Sequence, residues 1–347
     1  MISTAKKISL QEKENIIKWN PSKKNFLEVY YIKWNDLESN TTGWIRYTLI
    51  ASTTKETSCA LWGIFIDKND PSKNVAIKES FPIEKLTYSK EYFMVNINGY
   101  EINHDRAVGK ASDGENSMYW DLRPAENTRD IMIRHIPKIF YGEKSIIPVT
   151  KFVAPRCWYR MNGEVEVNGR KIQIKNAYAQ QAHVFGTKLV NDWIWGSCNS
   201  FIEDPDFCFE AVVAHMKMGF LNMPEMLYFF FNYKGKLYEI NNALTCGFYN
   251  KSKHDLFHWE FESVYGDLKF TGEAHSDPDD MICHIFHQPT EKNLFANTNY
   301  NATMKITVSK KEGGEWKKCD EYNAKKSATF EVCSGEKDSR VKWSFLK

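Results

Sequence analysis

From about residue 20 onward the chain runs in short stretches of alternating apolar and polar residues, broken at close intervals by Gly, Pro, Asn and Asp. This is the pattern of half-buried antiparallel strands joined by tight turns. The clearest stretch is Glu164-Val165-Glu166-Val167-Asn168-Gly169-Arg170-Lys171-Ile172-Gln173-Ile174. Asn-Gly between alternating strands predicts a two-residue hairpin turn, because both central residues take positive φ. Asn98-Gly99, between Val95 and Ile102, repeats the device, and Lys234-Gly235, between Phe231 and Tyr238, is a looser version. One segment, 9–19, reads as helical: Ser9 and Glu12 form a capping box, and Ile16, Ile17 and Trp19 give an apolar side. The expected class is therefore an all-β sandwich or barrel with antiparallel meander.

Three triplets recur in the same order along the two halves: Trp44-Ile45-Arg46 with Trp193-Ile194-Trp195, Tyr100-Glu101-Ile102 with Tyr238-Glu239-Ile240, and Trp120-Asp121-Leu122 with Trp259-Glu260-Phe261. They suggest a duplicated unit of about half the chain. The expected organisation is a tail and short helix at 1–20, a first barrel at 21–175 and a second at 176–347, with the boundary between 160 and 185. The hairpin 164–174 either closes the first unit or opens the second.

Composition narrows the partners. At 347 residues two domains are expected, and 46 Lys+Arg against 44 Asp+Glu leave a net charge of +2, too small for a phosphate-backbone binder. Nucleic acid is not an expected partner. No apolar run approaches the roughly 18 residues of a membrane-spanning helix, so no transmembrane segment is expected, although transient contact with a membrane surface is compatible. The first residues lack the apolar centre of a signal peptide, which predicts a cytoplasmic protein with eight reduced cysteines. These stand singly, with no C-x-x-C pair. Cys283-His284 with His287 is the nearest metal pattern, but alternation puts His284 on the face opposite to the other two, and Asp277-Pro278-Asp279-Asp280 reads as a solvated turn. No metal ligand is assigned, and the G-x-S-x-G, phosphate-loop, H-E-x-x-H and dinucleotide motifs are missing, so hydrolase, kinase, zincin and Rossmann readings have no support.

What does change the picture is aromatic content of 14%, together with one dense segment, Gln180-Gln181-Ala182-His183-Val184-Phe185-Gly186 followed by Asp192-Trp193-Ile194-Trp195-Gly196-Ser197-Cys198-Asn199-Ser200-Phe201. If 193–201 is one strand, then Trp193, Trp195, Ser197, Asn199 and Phe201 share a face. That row could wall a barrel lumen for an amphiphilic ligand, or its indoles could simply fill a core. His183 could equally be a satisfied structural histidine.

The order Gln-x-His-x-x-Gly, then Trp-x-Trp-Gly-x-Cys-Asn-x-Phe, resembles the central motif of the superfamily of tocopherol cyclases, carotenoid hydratases (hydroxyneurosporene synthases) and AttH-like proteins. Glu28-Val29-Tyr30-Tyr31, Gly43 to Leu49, Tyr119-Trp120-Asp121-Leu122 and Asn299 to Thr303 agree, and the likeness spans about 25–310. The resemblance implies two consecutive lipocalin-like (calycin) antiparallel barrels, and cofactor-free protonation or cyclisation of isoprenoid double bonds in those members that are enzymes. It also implies that His183 comes back beside the indoles, and that His183 and Asp267, in Tyr265-Gly266-Asp267, are the candidate acids. One departure is plain: His183-Val184-Phe185-Gly186 stands where related sequences commonly read His-Asn-Trp-Gly.

Such a site would bind a hydrophobic isoprenoid or lipid through Gln181, Phe185, Trp193, Trp195, Asn199 and Phe201. A buried acid would protonate an alkene, aromatic faces would stabilise the cation, and water or an internal hydroxyl would capture it, giving a hydratase or a cyclase. A non-catalytic carrier of the same ligand would keep the wall without the acid. An interaction module would have both lumens filled.

Overall fold

The computed structural model describes residues 8–126, 128, 130–136, 141, 150–215, 217–218, 221–222, 225–242, 246–290, 292–341 and 343–345. They divide into two compact units, 1–134 with 152–187, and 135–151 with 188–347.

The first unit starts with helix α1 (Leu10–Asn15), whose cap is the expected one, Ser9 Oγ accepting from the Glu12 N–H at 3.0 Å. The strands that follow are β1 (Phe26–Asp36), β2 (Thr41–Ala51), β3 (Ser58–Asp67), β4 (Val75–Pro82), β5 (Leu86–Tyr88), β6 (Met94–Ile97), β7 (Tyr100–Asn103), β8 (Ala107–Ser112), β9 (Ser117–Pro124), β10 (Ile131–Arg134), β11 (Lys151–Val167) and β12 (Arg170–Gly186). They form one sheet in the order β4-β3-β2-β1-β12-β11-β9-β8-β7-β6-β5, with β10 on β11. The hairpin 164–174 thus closes this unit. Residues 176–186, which the sequence reading gave to the second barrel, pair with β1. The sheet curls on itself: Ser112 N–H on β8 donates to Glu79 on β4 at 2.9 Å, and the Tyr47 hydroxyl crosses the interior to the Val108 carbonyl at 2.6 Å.

The second unit contributes β13 (Asp192–Cys198), β14 (Cys208–His215), β15 (Lys217–Met218), β16 (Leu221–Asn222), β17 (Met226–Tyr233), β18 (Lys236–Ile240), the helical turn α2 (Cys246–Tyr249), β19 (Asn250–His254), β20 (His258–Tyr265), β21 (Leu268–His275), β22 (Ile282–His287), β23 (Asn293–Glu312), β24 (Glu315–Ser334) and β25 (Trp343–Phe345). Its sheet runs β18-β17-β14-β13-β24-β23-β21-β20-β19, with β22 between β23 and β25, while β15 and β16 make a separate ribbon. This is the order of the first sheet from β4 to β7, with β13 in the place of β1 and β24 in the place of β12, so the duplication is real in topology although β6 and β5 have no counterpart on this path. The triplets are not its trace. Trp44 lies on β2, whereas Trp193 lies on β13, the counterpart of β1, and the other two echoes also fall on strands that do not correspond. Short aromatic and charged triplets recur in any set of amphipathic strands.

The interior of the second sheet is packed with aromatic rings. Phe209 stacks on Phe261 at 4.8 Å, Phe231 on Phe270 at 4.0 Å and Phe207 on Tyr322 at 3.7 Å, in one cluster with Trp259, Phe229 and Phe330. Each such ring contributes roughly 2 kcal/mol or more on burial. Ile194 and Cys198 of β13 join that cluster, and Gly196 lies under Trp259, where a Cβ would come within 2.3 Å of the indole. By alternation Trp193 and Trp195 therefore face away from the interior. This corrects the expected row of lumen-facing indoles: Trp259 takes the inner space at Gly196. The row also breaks at Cys198, where the strand ends, and Phe201 drops into the core against Phe207 and Tyr322.

Candidate functional site

The expected site residues fall into both units. In the first, strand register places Gln181, His183 and Phe185 of β12 on the inner face, opposite Ile32, Tyr30 and Glu28 of β1. His183 is fully buried. Its ring stacks on Tyr30 at 4.2 Å and tilts against Phe185 at 4.6 Å. Nε2 lies 2.8 Å from Glu28 Oε1, and Nδ1 lies 2.8 Å from the Glu14 carbonyl of α1. The same carboxylate accepts the N–H groups of Lys18 (2.6 Å) and Trp19 (2.8 Å) and the Tyr30 hydroxyl (3.0 Å). Burial and Glu28 raise the Tyr30 phenol far above its ordinary range, so it remains a donor. Gln181 accepts from Asn15 at 3.4 Å and borders a crevice of about 10 Å³, room for about one water. Nδ1 thus fastens α1 to the barrel, while Nε2 holds the Glu28 carboxylate that accepts from Lys18 and Trp19.

Asp267 is a correction. It occupies the exposed turn between β20 and β21, its side chain 65% exposed and 3.8 Å from Lys310 Nζ. A carboxylate in bulk water does not supply the acid of a water-poor site.

In the second unit the two indoles each end on a buried carboxylate. Trp195 Nε1 donates to Glu210 Oε1 at 2.8 Å, and His135 Nε2 lies 2.8 Å from the same oxygen. Glu210 and His135 are almost inaccessible, and Phe230 meets the imidazole edge to face at 5.5 Å. Trp193 Nε1 donates to Glu331 Oε1 at 2.7 Å, while the Thr298 hydroxyl donates to Oε2 at 2.6 Å; the Trp193 ring lies parallel to Phe286. Asn199 is buried just past the end of β13.

Sequence reasoning missed Glu210, Glu331 and His135. Glu210 carried a signal, being the lone acid in the otherwise apolar Cys208-Phe209-Glu210-Ala211-Val212-Val213. A carboxylate kept in such a strand must be hydrogen-bonded. The constellation Glu210, His135 and Trp195 brings together a buried acid–base pair and an aromatic face, the elements that proton transfer to an apolar substrate requires.

A tandem pair of curled antiparallel sheets with one strand order defines a duplicated lipocalin-like protein. The fold matches the crystal structure of a protein assigned as AttH in Nitrosomonas europaea, with a TM-score of 0.52 at 9% identity over 89% of this chain and 92% of that one. Kievitone hydratase from Nectria haematococca gives 0.44 at 8% identity, over 88% and 87%. The family described as tocopherol cyclase-like matches residues 159–334, just over half of the chain, and the chain belongs to that family. No curated protein matches.

Proposed function

We propose that the protein binds a hydrophobic isoprenoid or lipid and catalyses the cofactor-free, acid-initiated hydration or cyclisation of one of its double bonds. The observation that carries this reading is the buried Glu210 carboxyl shared by His135 and Trp195. Family membership supports the class of reaction, and the buried pair beside two aromatic rings supports an acid-initiated route. A proton held between His135 and Glu210 passes to one alkene carbon. The adjacent carbon becomes cationic and is stabilised by the faces of Trp195 and Phe230. Water adds there and returns a proton to the pair, or an internal hydroxyl adds and gives a ring of unchanged mass.

The test is incubation with prenylated hydroquinones and with acyclic polyenes, followed by mass spectrometry. Gain of one water marks hydration, and an isomer of equal mass and new retention marks cyclisation. Glu210→Gln should bind the same ligand within a few-fold and lose about a hundredfold or more in turnover, the scale of a lost general acid. Asp267→Asn should keep full turnover. Undiminished turnover in Glu210→Gln would remove this acid, and ligand binding without turnover in the wild type would make the protein a carrier.

A further inference from the structure

The outer face of the second sheet carries a square of four side chains set by strand register. β20 and β21 pair with His258 opposite His275 and Glu260 opposite Glu273. Trp259 and Phe261, at the alternate positions of β20, fill the interior, so all four of these residues project outward. The two Nδ1 atoms lie 3.2 Å apart, with the rings edge to face at 4.2 Å. On the far side of each ring stands a carboxylate: Glu260 Oε1 is 3.2 Å from Nε2 of His258, and Glu273 Oε2 is 3.7 Å from Nε2 of His275. The histidine side chains are 32% and 53% exposed, within reach of a solute.

Two imidazole nitrogens bound to one tetrahedral ion at the usual distances of about 2.0–2.1 Å stand about 3.3 Å apart. The His258–His275 spacing already has that bite. The negative charge near each outer nitrogen favours hydrogen on Nε2 over Nδ1, which leaves an Nδ1 lone pair for a metal. The two Nδ1 atoms are within hydrogen-bond distance of each other, so either a shared proton or a cation bound by both can join them. We propose that His258 and His275 form a divalent transition-metal site on the outer face of the second barrel, with Glu260 and Glu273 adding negative charge beside the rings. Imidazole donors suit Cu²⁺ and Zn²⁺, with Cu²⁺ the tighter. The described residues contain no group of three or more His, Cys, Asp or Glu ligands, so water oxygens complete the shell.

The test uses Cu²⁺ and Zn²⁺ alone, titrated into the full chain by calorimetry, with electron paramagnetic resonance of the copper form. One saturable site should appear, its copper spectrum split by two nitrogens. His275→Ala and His258→Ala should each weaken binding at least about tenfold, since each removes one of the two imidazole donors. Both rings lie on the surface, and an unchanged circular dichroism spectrum checks that the variants fold. His215→Ala, at the exposed imidazole beside Glu225, should leave the two-nitrogen site unaltered. Absence of saturable binding, a one-nitrogen spectrum, or affinity that survives His275→Ala would overturn the assignment.

Discussion

His183 and Glu28 stand one diagonal step apart on neighbouring strands, His183 opposite Tyr30 and Glu28 opposite Phe185, with 2.8 Å between Nε2 and Oε1. The Glu14 carbonyl beside Nδ1 can only accept, so Nδ1 carries a hydrogen. Glu28 also takes two backbone N–H groups and a phenol, so it is the knot that ties residues 9–19 to the first barrel.

Glu28→Ala therefore orphans several buried donors at once and should cost about 3 kcal/mol or more, the scale of breaking a buried pair. His183→Gln keeps a hydrogen-bonding amide and should cost about 1–2 kcal/mol. Urea unfolding measures both. Hydrogen exchange should show the amides of 9–19 opening before the strands do. If Glu28→Ala proves no costlier than the same change at exposed Glu115, the knot is not there.

The turns were legible and the faces were not. Asn98, Asn168 and Lys234 all take positive φ with Gly99, Gly169 and Gly235 after them, as hairpin chemistry requires. Alternation correctly joined Trp193 with Trp195, but a period of two says which residues share a face, not which face is inside. Past Asp192 both rows of β13 are apolar or small, and the deciding fact, Trp259 resting on Gly196, lies far along the chain. Contiguity misled in the same way: 181–201 reads as one motif, yet β12 ends the first unit and β13 begins the second.

Packing at glycine gives a second prediction. The Phe261 ring covers Gly272, where a Cβ would lie 2.1 Å from Cζ, and Phe261 is itself held in its stack by Phe209. Neither ring can yield without disturbing the core. Gly272→Ala should destabilise the protein by about 1–3 kcal/mol, the usual cost of overpacking. The paired change Gly272→Ala with Phe261→Leu should recover part of it, and failure to recover would mean that the strain lies elsewhere.

The thiols should differ sharply in reactivity. Cys319 is exposed, whereas Cys59, Cys157, Cys198, Cys208, Cys283 and Cys333 are buried thiols outside any disulfide. Burial, and then Glu84, push the Cys59 thiol up to about 11, and burial chiefly raises Cys333. A maleimide at neutral pH should label Cys319 at once and these two only on unfolding. Denatured, unreduced protein should return all eight thiols of the chain, and six or fewer would mean that disulfides form.

Lys78 provides a pH dependence. Its Nζ lies 4.9 Å from the centre of the Trp62 ring, and the Arg46 guanidinium lies 5.0 Å from the same ring. Burial, followed by the Arg46 charge, lowers the ammonium to about 8. Between that value and an ordinary lysine near 10.5 the unfolded chain binds more protons than the folded one, so this group makes stability rise with pH across the window. Below pH 8 the lysine is charged in both states and the penalty is fully present; above 10.5 it is neutral in both and the penalty is gone. Lys78→Met, which keeps the length without the charge, should be more stable than the wild type at pH 7 and lose that advantage as pH approaches 10.5. Acetic anhydride labelling read by peptide mass should give Lys78 a midpoint near 8. A midpoint near that of the exposed lysines would show that the ammonium is solvated and that burial beside Trp62 does not set its charge.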